Sequence, residues 1–237
     1  MLYNLGVIIG SNFLWAFVGG LLPAIFWLWF WLHEDKKHPE PKLRIILSFG
    51  FGMLAVLLVL PVERFFYNIF GNEIHIWTLL AWAAAEEVMK IVAAYFAAFR
   101  SRVADEPVDF LIYMVSTALG FSALENSLFL FNMIGEGFVT QGIISGNMRF
   151  LGATLLHTVT SATIGTFIAL AFYKNKEVKK MSLAIGIMLA IALHTLFNFF
   201  IIEMGERVFF VFTGVWVAII LMILMFEKVK SVKPGSV

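Results

Sequence analysis

The sequence predicts an all-α, polytopic membrane protein with about seven transmembrane helices, and three observations carry that expectation. Hydrophobic residues make up 61% of the chain, charged residues only 14%, and the mean hydropathy is +0.90, outside the range of water-soluble domains. Apolar runs recur along the whole length, each about 18–26 residues, matching the ~20 residues a helix needs to cross a ~30 Å hydrocarbon core. Their apolar residues are continuous instead of alternating, which favours helices over a barrel. Positive charge is also strongly sided. Of 17 Lys and Arg residues, 13 follow the odd-numbered spans; Arg64, Arg149 and Arg207 lie on the other side, and Lys90 falls within the bilayer. The positive-inside rule then places the N-terminus outside and the C-terminus in the cytoplasm.

The first span is Asn12–Leu32. It lacks a preceding basic region and an A-x-A-like cleavage site, so it is expected to stay in the mature chain. The connector Asp35–Pro41 cannot be helical because of its two prolines. Leu43–Val62 is the second span. Glu63–His75 follows, an aromatic-rich segment expected to lie as a short amphipathic turn along the outer interface. The remaining spans are Ile76–Phe99, Asp109–Phe131, Met148–Tyr173, Ser182–Met204 and Phe209–Phe226. All belong to one integral-membrane domain covering residues 1–237, with the lipid bilayer as its surroundings and no nucleic-acid partner. Asp109 sits where an N-cap would be. Cysteine is absent, which excludes disulfides and thiolate chemistry.

The polar residues inside these spans carry the function. Glu86 and Glu87 are adjacent in the third span, with Lys90 one turn on. Each ionisable group at mid-bilayer costs roughly 2.5–3.5 kcal/mol even on the lenient insertion scale. Adjacent helical residues point about 100° apart, so one glutamate faces a central cavity while the other binds Lys90. The fourth span carries Glu125 and Asn126, four and five residues after Phe121. The fifth aligns His157, Ser161 and Gly165 on one face, and the sixth aligns His194 and Asn198. Glu86, Glu125, His157 and His194 lie roughly 9–15 Å below the outer ends of their spans at ~1.5 Å per residue. A single His or Asn in a membrane helix is ordinarily an interhelical hydrogen-bonding residue. Three carboxylates, two histidines and an asparagine at one depth make a polar, water-accessible site.

Such a set fits hydrolysis. A carboxylate in a low-dielectric cavity can act as general base on water, with His and Asn donating to an oxyanion. Alternatively Glu125, His157 and His194 hold zinc and another Glu is the base. No H-E-x-x-H motif occurs. A fixed ammonium near the site repels a dication, so no cofactor is favoured and zinc is the alternative. A proton-coupled transporter or channel would also use buried Glu and His, but neither inverted repeats nor broken helices are visible. A scaffold that binds another helix without cutting it is a third reading.

Glu86-Glu87-x-x-Lys90, Phe121-x-x-x-Glu125-Asn126, His157 and His194-x-x-x-Asn198 together resemble the PrsW family of intramembrane proteases. Asp35…Pro39-Glu40-Pro41 and Pro107-Val108-Asp109 add to the likeness, which runs from about residue 35 to 200. More distantly the chain is similar to the CAAX prenyl protease and bacteriocin-processing superfamily, with its E-E-x-x-x-R, F-x-x-x-H and H-x-x-x-N motifs. The resemblance implies a glutamate-type endopeptidase. Glu86 would be the base, supported by Glu87 and Lys90, and His194 and Asn198 would bind the oxyanion. Glu125 stands where the distant family has His. The implied substrate is a single-span membrane protein such as an anti-sigma factor, cut near the extracytoplasmic side.

The topology is directly testable because single cysteines enter a cysteine-free chain. Gly137→Cys should react with an impermeant thiol reagent from outside the cell, and Asn175→Cys only after permeabilisation. The opposite pattern would invert the orientation.

Overall fold

In the computed structural model, residues 2–33, 39–136, 152–203 and 208–234 are described. Asp35, Lys36, Lys37, Gly137, Arg149, Met204 and Arg207, together with residues 148–151 of the expected fifth span, lie outside them. Among the described residues there are seven long helices and no strand: α1 Leu2–Leu32, α2 Lys42–Ile69, α3 Ile76–Ala94, α4 Pro107–Gly135, α5 Ala153–Leu170, α6 Lys176–Glu203 and α7 Val208–Lys230. A five-residue π-helical turn, Tyr95–Phe99, closes α3.

Six of the helices are long and apolar enough to cross a membrane. α3 falls short only by composition, because Glu86, Glu87 and Lys90 interrupt its apolar run. α6 begins at Lys176, six residues before the expected span, because the charged turn Lys176–Lys180 continues the helix past the apolar segment. Helix length therefore exceeds span length here.

The segment after Val62 is a correction. α2 does not end there but runs through Pro61 to Ile69, so only residues 70–75 connect it to α3. A proline costs one backbone hydrogen bond, and the helix on either side absorbs that loss. The consequence is that Glu63 is a helical residue, not part of an interfacial turn.

α4 is the central helix, buried along nearly its whole length and packed on α1, α2 and α5. Its sequence explains this. Ser116, Thr117, Ala118, Gly120, Ser122 and Ala123 present almost no side-chain bulk, and small residues let membrane helices approach closely. The hydroxyls of Ser116 and Thr117 donate to Ile112 and Tyr113 carbonyls one turn back, at 2.7 and 2.8 Å, so both buried hydroxyls are paired. Gly52 of α2 and Gly120 of α4 form a reciprocal contact. A Cβ at Gly52 would run into the Thr117 carbonyl, and one at Gly120 into the Phe49 carbonyl. Towards the other end of α1, Trp31 stacks on Phe226 of α7 with ring centroids 5.5 Å apart, joining the first and last helices to the core.

Asp109 stands at the third position of α4, with Glu106 as the cap. The Asp109 carboxylate accepts from the Asp105 and Glu106 backbone N–H groups at 2.9 and 2.7 Å. This capping box replaces the expected role as N-cap residue.

The glycine contact makes a sharp prediction. Gly120→Ala should lose about 1–3 kcal/mol of stability through overpacking, read as a lowered melting temperature or poor accumulation in the membrane. Gly50→Ala, where a Cβ meets nothing within 4 Å, should be neutral.

Candidate active site

The site is built from α3, α4, α5 and α6, with α2 at its edge. Ala83–Ala85 lead into the Glu86-Glu87 pair on α3, keeping that helix slim where its neighbours converge. The two glutamates part as their ~100° separation requires. Glu87 turns inward and is fully buried. Its Oε1 accepts from Lys90 Nζ at 2.8 Å, from Thr160 Oγ1 at 2.9 Å and from His194 Nδ1 at 2.8 Å. Ser161 adds a longer bond to Oε2, 3.5 Å. Lys90, also fully buried, lies 4.7 Å from the centroid of Phe121 and donates to His157 Nδ1 at 2.9 Å.

Glu86 faces the cavity instead. Its Oε2 is buried without a hydrogen-bond partner, and stands 3.7 Å from His157 Nδ1, 3.8 Å from His194 Nε2 and 3.8 Å from Lys90 Nζ. The histidine rings meet edge to face, centroids 5.0 Å apart. Each ring is oriented from behind by a carboxylate: His194 Nδ1 by Glu87, and His157 Nε2 by Glu125 Oε2 at 2.9 Å. Those partners assign the tautomers, since a carboxylate only accepts. Of the inward nitrogens, His157 Nδ1 accepts from Lys90 and His194 Nε2 carries a lone pair, and both stand within 3.8 Å of Glu86 Oε2.

A cavity of about 170 Å³ lies at this point, lined by Glu86, Glu125, His157, His194 and Asn198 among apolar residues that include Phe212 of α7. Of the residues singled out from sequence, these five meet in the cavity, with Glu87 and Lys90 directly behind them. Asn126 does not join them. Its Nδ2 donates to Ser122 and Thr154 at 3.1 and 3.0 Å, tying α4 to α5. Asp109 belongs to the far end of α4, where Tyr113 donates to the neighbouring Glu40.

Three contributors were not legible as site residues. Thr160 and Ser161 complete the Glu87 shell, and Ser161 alone had a visible signal, its place on the His157 stripe. Glu63 of α2 brings a fourth carboxyl beside Glu86, within electrostatic reach of Glu125 and Lys90. Reading residues 63–75 as a connection hid it.

The donor set fits a divalent metal. Ligand atoms from Glu86, His157 and His194 all lie within 4.8 Å of one another. Tetrahedral zinc with ligands at ~2.0–2.2 Å sets them about 3.4 Å apart, close to the 3.7 and 3.8 Å separating Glu86 Oε2 from the two imidazole nitrogens. Histidines held from behind by carboxylates are the usual outer shell of such sites. The triad contains Glu86 where the sequence reading placed Glu125; Glu125 instead holds the outer nitrogen of His157.

The family described as PrsW family intramembrane metalloprotease matches residues 40–225. The chain belongs to this family. It is 25% identical over 221 residues to Protease PrsW of Geobacillus kaustophilus (strain HTA426), covering 92% of this chain and 90% of that protein. Similarity to Protease PrsW of Shouchella clausii (strain KSM-K16) is 26% over 196 residues, covering 81% and 86% of the two chains. To that of Bacillus subtilis (strain 168) it is 22% over 196 residues, covering 81% and 84%. No solved structure matches the chain. Family membership and the apolar helices together make the protein a multi-pass membrane protease.

Because Glu87 and Lys90 form a fully buried ion pair at 2.8 Å, Lys90→Met should destabilise the protein by about 3–5 kcal/mol. Adding Glu87→Gln should recover part of that loss, measured by thermal unfolding in detergent. Strictly additive effects would mean that the two residues do not interact.

Proposed function

We propose that the protein cleaves a peptide bond of a single-span membrane protein at the point where Glu86, His157 and His194 converge. The carrying observation is the unpartnered Glu86 Oε2, faced by two imidazole nitrogens whose rings are fixed from behind by Glu87 and Glu125. In this reading the three residues hold a divalent cation such as zinc. When bound, the cation would polarise the scissile carbonyl and lower the pKa of water. The ground for preferring a metal-free site weakens, because the Lys90 charge is matched by Glu87 at 2.8 Å.

The chain's own groups supply the rest. Glu87 keeps the His194 ring in place and its Nε2 lone pair inward. Glu125, one-third exposed and lining the cavity, accepts a proton from water on one side while holding His157 on the other. Glu63 lies beside Glu86 and offers a second carboxyl for proton movement. Asn198 supplies the neutral amide that donates to the developing oxyanion. With its Nδ1–H on Glu87, His194 would donate from Nε2 only in its protonated form, so that role passes mainly to Asn198.

A second reading has its own observation. Lys90 Nζ lies 2.9 Å from His157 Nδ1, a contact that a cation at that nitrogen would displace. If the contact persists in the active enzyme, Glu86 is the general base of a metal-free, glutamate-type protease, with His194 and Asn198 on the oxyanion.

Two features favour a membrane-embedded substrate. The site residues lie in the outer half of their spans in the orientation expected from charge. An apolar groove of about 340 Å³ between α5, α6 and α7 shares Leu156 and Phe197 with the catalytic cavity, offering a route for an apolar segment. By family resemblance, a membrane-bound anti-sigma factor is the substrate to try first.

The test uses purified protein in detergent with single-span membrane substrates and elemental analysis. About one zinc per active chain is expected, with metal and activity both lost in His157→Ala and His194→Ala. Glu86→Gln should fold and insert but lose at least ~10²-fold in turnover, and Asn198→Ala should lose ~10²–10³-fold with metal retained. Active protein free of metal would select the second reading. Undiminished turnover in folded Glu86→Gln would reject both.

A further inference from the structure

At the opposite end of the catalytic helices lies a second, larger groove of about 610 Å³, walled by the end of α3 and the start of α6. It shares no residue with the catalytic cavity. Its floor is aromatic: Phe99 contacts Phe110 at 4.9 Å between centroids, and Phe110 contacts Phe172 at 5.7 Å. The π-helical turn supplies one wall, with Tyr95 and Phe96 half exposed. Short π segments often mark functional sites in helices, and this one sits where the groove forms.

The rim is cationic. Lys176, Lys179 and Lys180 line the same groove, and their i, i+3, i+4 spacing puts all three on one face of α6. Lys179 Nζ lies 5.6 Å from the Phe172 centroid, and Lys180 makes an exposed pair with Glu177 at 3.3 Å. Exposed pairs of this kind contribute little, so Lys180 remains available to a stronger anion. Arg100 adds a further cation, 5.7 Å from the ring of Phe96. The positive-inside count puts this end of the bundle at the cytoplasmic leaflet, where anionic lipids attract basic side chains.

We propose that this groove binds an anionic phospholipid, its headgroup phosphate on Lys176, Lys179 and Lys180 and its acyl chains along Phe96, Phe99 and Phe110. The two-part chemistry singles out a lipid. A free anion has no use for the aromatic floor, and a zwitterionic lipid carries its own cation against the lysine rim. One such lipid would touch both α3, which carries Glu86 and Glu87, and α6, which carries His194 and Asn198. The site is independent of how the catalytic cavity works.

Delipidated full-length protein in detergent is titrated with phosphatidylglycerol, with phosphatidylcholine of the same chains, and with inorganic phosphate, following thermal unfolding. Phosphatidylglycerol should raise the midpoint by about 3 °C or more, with little effect from the other two. The triple variant Lys176→Gln/Lys179→Gln/Lys180→Gln should lose this shift, while Lys228→Gln/Lys230→Gln/Lys233→Gln, elsewhere on the same side, should keep it. Native mass spectrometry of the unaltered chain, which needs no variant, should show phosphatidylglycerol retained over phosphatidylcholine. Equal response to phosphatidylcholine would reduce the groove to unselective acyl-chain filling. An equal response to phosphate would make it a free-anion site, and a full shift in the first triple variant would place the lipid elsewhere; each overturns the proposal.

Discussion

Everything around the catalytic cavity hangs on the carboxylate of Glu87. It is fully buried and receives Lys90 and His194 at 2.8 Å and Thr160 at 2.9 Å, bonds reaching from α3 to α5 and α6. A charge placed in hydrocarbon is tolerated only when paired and hydrogen-bonded, and here the partners come from three helices. Desolvation therefore becomes positional information. The arrangement that brings Lys90, Thr160 and His194 to this one group satisfies its buried charge, and it also sets Glu86 opposite two imidazoles. Buried ion pairs are weak as a source of net stability but strong as a penalty on wrong assemblies.

The two adjacent glutamates show how helix geometry divides labour between identical side chains. Both oxygens of Glu87 accept hydrogen bonds, three of them at Oε1, whereas the Oε2 of Glu86 has no hydrogen-bond partner. Leaving a buried carboxylate oxygen unpaired costs free energy, and a hydrolase has a use for such an atom: a water or a cation that occupies it arrives at a preformed acceptor. The packing that permits this is supplied by α4, whose small residues let α2 and α5 approach closely enough to enclose the cavity. The carboxyls of Glu63, Glu86, Glu87 and Glu125 then share one region, with Lys90 as the central cation.

The polar groups of the bundle are also unevenly distributed along its helices. Carboxylates and imidazoles gather midway along α3 and in the C-terminal half of α6, and lysines over an aromatic floor gather at the start of α6 beside the end of α3. The same two helices, α3 and α6, line both the cavity and this second groove. The apolar groove between α5, α6 and α7 adjoins the cavity, with Leu156 and Phe197 lining both.

Much was determined by sequence alone. Seven helices followed from run length and composition, because hydrocarbon thickness and the cost of unpaired backbone groups leave a membrane segment few alternatives. Glu86, Glu87, Lys90, His157, His194 and Asn198 stood out because ionisable or strongly polar residues in apolar spans are costly, and their i, i+4 spacings survive directly into the helices. The split between Glu86 and Glu87 was legible too, from 100° per residue. Only the tertiary structure decided which glutamate was which, since that depends on the direction in which α5 and α6 lie. It alone showed Asn126 as an interhelical tie and Asp109 as part of a capping box, roles set by neighbours distant in sequence. It also brought Glu63 to the cavity edge. The apolar run of the second span ends at Val62, before Glu63 and Arg64, and α2 continues past it to Ile69 while packed against α3, a contact that no local signal encodes. The choice between Glu86 and Glu125 as the carboxylate facing both histidines rested likewise on where four separate helices meet, and sequence spacing measures distance only along one.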